Sequence, residues 1–262
     1  MAVALTSLAL PARAEEPSNT DLFEKAAAAI ETGAYDDAID RLELLADRDF
    51  VHPDVSYDRA IAYARRGLSP RARPGDLGRA AAALAETLVL RPDDDAADTA
   101  LDRVRHEIVR RRAHAGAKEI DLKPSIWLAV VGLLDENTWA ALAMVGSVVL
   151  SIGLLVRFMS HGARTRLGGV VAASLGGLVF LVGTSGAAFA RYARVTYRPA
   201  VVVVDEAHLS DESGVMVSGV GSVVPEGASV LVVEQRGTRA RVEWGTINGW
   251  LSLGQIRLLA RP

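Results

Sequence analysis

The 262-residue chain has no cysteine. That excludes a disulfide framework, thiolate metal sites and a cysteine nucleophile. It also has few aromatic residues, 5% in all. Charge is missing from two long stretches, Thr138 to Val156 and Leu167 to Ala190. A simple soluble globule does not carry such stretches. A proton path or ion channel normally needs an ionisable group inside a span, and neither stretch has one. The formal net charge is −3, but it is unevenly divided. Residues 15–126 carry about −6, residues 127–199 about +4 and residues 200–262 about −2. No folded part is strongly basic, which excludes a nucleic-acid partner.

Catalytic and metal signatures are missing as well. His106-Glu107 has no second histidine at the metalloprotease spacing. Asp93-Asp94-Asp95 follows Pro92 and reads as a helix cap rather than a metal site. Gly219-Val-Gly221 lacks the third glycine of a dinucleotide loop. No strained nucleophile elbow is visible. The sequence therefore predicts no catalytic residue, no metal and no cofactor.

What is present begins with the two uncharged stretches. Residues 138–156 and 167–190 are each long enough to span a bilayer core of about 30 Å. Trp139 marks one interface, and Tyr192 and Tyr197 mark another. The ten-residue connector 157–166 forces an antiparallel hairpin, so both flanking parts lie on one side. Arg157, Arg164 and Arg166 make that connector read as cytoplasmic, whereas Arg191, Arg194 and Arg198 pull the other way. Residues 1–14 decide between them. They are apolar, end in the small-x-small form Ala12-Arg13-Ala14, and read as a truncated signal peptide. Both flanking parts are then extracytoplasmic, on a bacterial inner membrane. Ala143, Ser147 and Ser151 recur every four residues on one span, and Gly169, Ala173 and Gly177 on the other. Small residues at that spacing let helices approach closely in lipid.

Residues 20–112 show helical periodicity and no convincing strand. Helices are expected from Asp21 to Gly33, over Tyr35–Asp47, Asp54–Arg66 and Asp76–Leu90, and from about Ala96 to Arg112. Glu31-Thr-Gly33-Ala-Tyr35-Asp-Asp-Ala38 resembles the turn of a tetratricopeptide repeat. Gly67 follows Gly33 by thirty-four residues, which is that repeat's period. The second copy continues with Gly75-Asp-Leu77-Gly-Arg-Ala80 and closes at Pro92, with Leu68–Pro74 inserted. Such helix pairs stack into a concave binding face. By repeat position, Phe23, Ile30, Tyr57, Ile61 and Arg65 line it. Residues 113–137 read as a linker, with an interfacial helix over Ile126–Leu134.

Past Pro199 the composition turns to short β-rich runs: Val201–Val204, Ser229–Glu234, Arg239–Trp244 and Trp250–Ser252. Turns are expected at Pro225-Glu226-Gly227, Arg236-Gly237 and Asn248-Gly249. The order and spacing over 200–262 resemble a bacterial SH3-like barrel. In such barrels an aromatic groove often binds peptides or cell-wall stems. Here Trp250 is the candidate, while Trp244 faces inward.

The expected fold class is a multidomain membrane protein: α-helical tetratricopeptide-like repeats, a two-helix transmembrane hairpin and a small all-β SH3-like barrel. That order resembles the BatE-like proteins of bacterial aerotolerance operons. The residues carrying the resemblance are Gly75 through Asp94, Asn137-Thr138-Trp139 and Gly249-Trp250. Members are usually encoded beside membrane proteins with von Willebrand factor A domains and a MoxR-type ATPase. The resemblance implies a non-enzymatic envelope scaffold, seated in membrane lipid, with protein partners of that kind. A different class of reading is a cell-wall sensor whose barrel binds peptidoglycan peptides.

Overall fold

Ser18 starts the first helix by a reciprocal cap. Its hydroxyl accepts from the Asp21 N–H at 3.1 Å, and the Asp21 carboxylate accepts from the Ser18 N–H. The computed structural model describes residues 16–115, 136–219 and 222–260. The expected signal peptide and interfacial helix lie outside the described residues. From Ser18 the chain forms α1 (Asn19–Glu31), α2 (Tyr35–Asp47), α3 (Pro53–Gly67), α4 (Asp76–Leu90) and α5 (Asp95–His114). Each helix packs on the next, and α1 also reaches α3. The expected bounds hold for α2 and α4, and the other three differ by one or two residues at their ends. Ala26, Ala38, Leu42, Leu45, Ala60 and Ala80 fill the shared core.

Two long helices follow, α6 (Glu136–Met159) and α7 (Ala163–Thr196). Both are long and apolar enough to cross a membrane. They form an antiparallel hairpin, joined by only Ser160–Gly162. Most of the expected ten-residue connector is therefore helical. Arg157, Arg164 and Arg166 extend the helices beyond the uncharged stretches, because nothing in 157–159 or 163–166 stops a helix. On the far end Glu136 lies 3.7 Å from Arg191 and 3.3 Å from Arg194, closing the hairpin with an ion pair.

The chain passes from α7 into strand β1 (Arg198–Val202) through Tyr197 alone. Then come β2 (Glu206–His208), β3 (Val223–Pro225), β4 (Ser229–Arg236), β5 (Arg239–Trp244), β6 (Ile247–Ser252) and β7 (Ile256–Leu258). Five strands make an antiparallel sheet in the order β6-β5-β4-β1-β7, and β2 and β3 form a separate ribbon. One expected turn is corrected. Asn248 and Gly249 lie inside β6, opposite Glu243 and Val242, and the β5–β6 reversal falls at Gly245. Gly249 serves close approach instead, since a Cβ there would come 2.9 Å from the Leu209 Cβ.

Strand β1 and the residues after it belong to two cores. Ala200 and Val202 point into the sheet's core with Val230, Val242 and Leu251. Val201 and Val203 point the other way, into the core of α1–α5, where Leu259, just after β7, joins them. This is the two-fold alternation of a strand with both faces covered. Burying three such aliphatic side chains contributes about 1.5–3 kcal/mol each. The sheet therefore completes the helical region rather than hanging beside it.

Helix α4 is built for that contact. Gly75 precedes it with φ +80° and offers no side-chain cap. Glu226, in the turn after β3, supplies the missing acceptor: its Oε1 takes the Gly78 N–H at 2.6 Å. A Cβ on Gly78 would lie 2.8 Å from the Val202 carbonyl oxygen. Glu43 reaches Arg257 at 3.0 Å, and Glu86 accepts from the Ala260 N–H at 3.3 Å.

Burial raises the Glu226 carboxyl above its ordinary value of 4.5, against the lowering effect of the Gly78 N–H. Nearby Asp205 and Asp76 also raise it, and Arg111 lowers it. The folded state thus holds this proton to higher pH than the unfolded chain does. Stability from this group falls as pH rises from 4.5 through the folded value. Glu226→Gln keeps the acceptor and removes the charge. The variant is expected to match or exceed the parent in urea unfolding at pH 7, with a flatter slope above pH 4.5. A clear loss of stability at pH 7 would mean that the charge itself holds the contact.

Candidate functional site

Helices α3 and α5 both pack on α4, which leaves a trough between them. The sequence fixes where each begins. His52 caps α3 by accepting from the Asp54 N–H at 3.3 Å, with Pro53 in the first turn. Asp94 caps α5 by accepting from the Ala97 N–H at 3.0 Å. The trough is pinned at both ends. At the start, Arg91 donates to Asp54 at 2.8 Å and to Asp94 at 3.2 Å. At the finish, Arg111 donates to the Gly67 carbonyl at 2.9 Å. These bonds hold the two helices parallel and apart. The Arg91 pairs are exposed and add little energy, so their value is geometric, while the Arg111 bond is partly buried.

The resulting groove holds about 660 Å³. Ala60, Ala64, Leu77, Leu84, Ala100 and Val104 give it apolar walls and floor. Arg65 stands on the α3 rim and Arg103 on the α5 rim, both exposed. Asp95 and Glu107 also reach the rim, and Glu107 is held in its charged form by Arg110 and Arg111. An apolar trough with charged edges suits an amphipathic helix or peptide. It offers no nucleophile–base pair.

Three of the five residues expected from repeat position, Tyr57, Ile61 and Arg65, line this groove. Phe23 and Ile30 do not. They are half-buried on α1 and pack against the helical core. The α5 wall, with Thr99, Ala100 and Arg103, was not anticipated. The signal for it was Ala96-Ala97 with Ala100 and Val104, an apolar face behind a capping aspartate.

Trp250 is 7% exposed. The Arg236 and Arg239 guanidinium groups lie 5.2 and 5.5 Å from its ring centroid. Arg236 is itself held by Glu212 and Glu234, and Arg239 by Ser210 and the Asp211 carbonyl. The ring is therefore packed rather than offered as an open platform. Trp244 is half-buried against the sheet core.

In the hairpin, the close approach uses part of the expected set, Ala143, Gly169 and Ala173, together with glycines outside it. Gly146, Gly153, Gly169, Ala173, Gly176 and Gly183 are the buried positions. Gly169 and Ala173 belong to the expected stripe. Ala143 and Ser147 are half-buried, Ser151 is exposed and donates to the Ser147 carbonyl, and a Cβ on Gly177 would meet only Leu150 Cδ1 at 3.8 Å. The glycines recur every seven residues: Gly146 faces Gly176, Gly153 faces Gly169, and Gly183 faces Ala143. A four-residue period drifts off the contact line within two turns, whereas a seven-residue period follows a left-handed crossing.

Comparison of the chain with family models, with curated proteins and with solved structures gave no match.

Proposed function

We propose that this protein is a non-enzymatic scaffold anchored in the bacterial inner membrane, which holds a partner's helix or peptide in the α3–α5 groove. In this reading α1–α5 form two tetratricopeptide-like repeats with a closing helix, and the sheet is an SH3-like barrel. The partners belong to an envelope complex of the aerotolerance-operon kind. The observation that carries the reading is the groove itself, an apolar trough pinned open at both ends. An antiparallel hairpin puts both soluble parts on one membrane face, and their mutual packing fits that arrangement. The signal-like residues 1–14 favour the extracytoplasmic face. The cell-wall sensor reading has less support, because Trp250 is covered by two arginines.

The test is photo-crosslinking in native membranes. A photoreactive residue at Ile61 or Thr99, inside the groove, is expected to give a discrete adduct. The same residue at Asp40, exposed on α2, should give none. Adducts from Asp40 alone, or none from both groove positions, would reject the groove as the binding face.

A further inference from the structure

A second cleft, of about 400 Å³, opens at the seam between α2–α4 and the sheet. Its charged lining is Arg59, Arg79, Arg257 and Glu43. The seam thus gathers three cations around one carboxylate.

Two of the three cations are matched. Arg59 is 4% exposed and pairs with Glu86 behind the cleft wall, with Glu43 at 4.0 Å. Arg257 pairs with Glu43 at 3.0 Å. Glu43 also accepts from the Tyr63 hydroxyl at 3.0 Å. Arg79 is different. Its guanidinium lies 5.9 Å from the Tyr63 ring centroid, and among the described residues it has no carboxylate partner. Arg79 is half-buried on the lining of the cleft. The local charge, counting Glu86, is one positive in excess. A partly desolvated guanidinium without a counter-charge is the arrangement that small oxyanions complete, by paired N–H donors.

We infer that this seam cleft binds a small oxyanion, of the phosphate or carboxylate class, on Arg79, with Arg257 as its second cation. Arg79 belongs to α4 and Arg257 to β7, so the bound anion bridges the helical region and the sheet. It stabilises the docked arrangement by mass action. This site is separate from the groove, which opens between α3 and α5.

Inorganic phosphate is the probe, added to the full-length protein in detergent. Sodium chloride at matched ionic strength is the control. Phosphate is expected to raise the melting temperature saturably, and chloride not. Arg79→Gln should weaken the apparent phosphate affinity by about tenfold or more, the usual cost of losing a charge-assisted bond. Arg79→Lys should recover part of it. Arg110→Gln, on the exposed side of α5, should leave it unchanged. If Arg79→Gln is unfolded by circular dichroism, Arg257→Gln with phosphorus NMR line broadening makes the same comparison. Nanodiscs with and without phosphatidylglycerol, free of phosphate, separate the sources. An Arg79-dependent stabilisation there would identify a lipid headgroup as the oxyanion. Equal effects of phosphate and chloride, or an unchanged response in both glutamine variants, would overturn the site.

Discussion

Gly75→Ala is expected to loosen the sheet from the helical region, at a cost well above that of Gly33→Ala. The two glycines share nearly the same backbone, φ +80° and +76°. A side chain at either position therefore incurs the left-handed penalty, about 1–2 kcal/mol. Their surroundings differ. A Cβ on Gly33 would meet nothing within 4 Å, whereas a Cβ on Gly75 would come 2.1 Å from the Val203 carbonyl oxygen. The neighbour there is backbone of the chain that runs on from β1, so it cannot swing aside as a flexible side chain would. Overpacking of this kind adds about 1–3 kcal/mol or more. Urea unfolding of both variants measures the difference directly, because the backbone term cancels. Proteolysis between Tyr197 and Val203 should speed up in Gly75→Ala and stay slow in Gly33→Ala. Equal destabilisation of the two would mean that the docked seam contributes little to stability.

The same seam shows what the sequence could and could not reveal. Helix positions were legible because their periodicity and caps are local: Asp94 before α5 and Pro53 at the start of α3 act within a few residues. The run Val201-Val-Val-Val204 held more than a strand signal. Unbroken apolar character means cover on both faces, and the second face had to belong to the helices. Gly75 and Gly78 fit a repeat turn equally well, so their role against β1 was masked by a local explanation. Arg59, Arg66 and Asp76 were invisible as core residues. They look like solvent-facing charges, yet Arg66 donates to Asp76 at 3.0 and 2.6 Å and to Asp36 at 2.7 Å. Such a buried bidentate pair is specified by three-dimensional proximity alone. The groove was half legible for the same reason. Tyr57, Ile61 and Arg65 follow from repeat position, but the opposing wall depends on how α5 lies across α4.

In the hairpin the sharpest comparison is between adjacent glycines of one helix. Gly176 and Gly177 have the same helical backbone and nearly the same depth. A Cβ on Gly176 would lie 2.4 Å from the Leu150 nitrogen and 2.9 Å from the Gly146 carbonyl oxygen. The reciprocal contact is as close, since a Cβ on Gly146 would come 2.9 Å from the Gly176 oxygen. Backbone thus meets backbone, close enough for Cα–H···O contacts. On the membrane-anchored reading, no hydrophobic force holds two apolar helices together in lipid, so this packing is the main source of association. Gly176→Ala must push α6 and α7 apart along the line that includes Gly153 and Gly169. It is expected to cost about 1–3 kcal/mol or more. Gly177→Ala meets only the tip of Leu150 and gains helix propensity, up to about 1 kcal/mol. Thermal aggregation in mild detergent should therefore shift down for Gly176→Ala and hold or rise for Gly177→Ala. A double variant should follow Gly176→Ala, because restoring propensity does not restore the contact. Equal behaviour of the two single variants would place the helix crossing elsewhere, and the seven-residue glycine spacing would then carry no packing role.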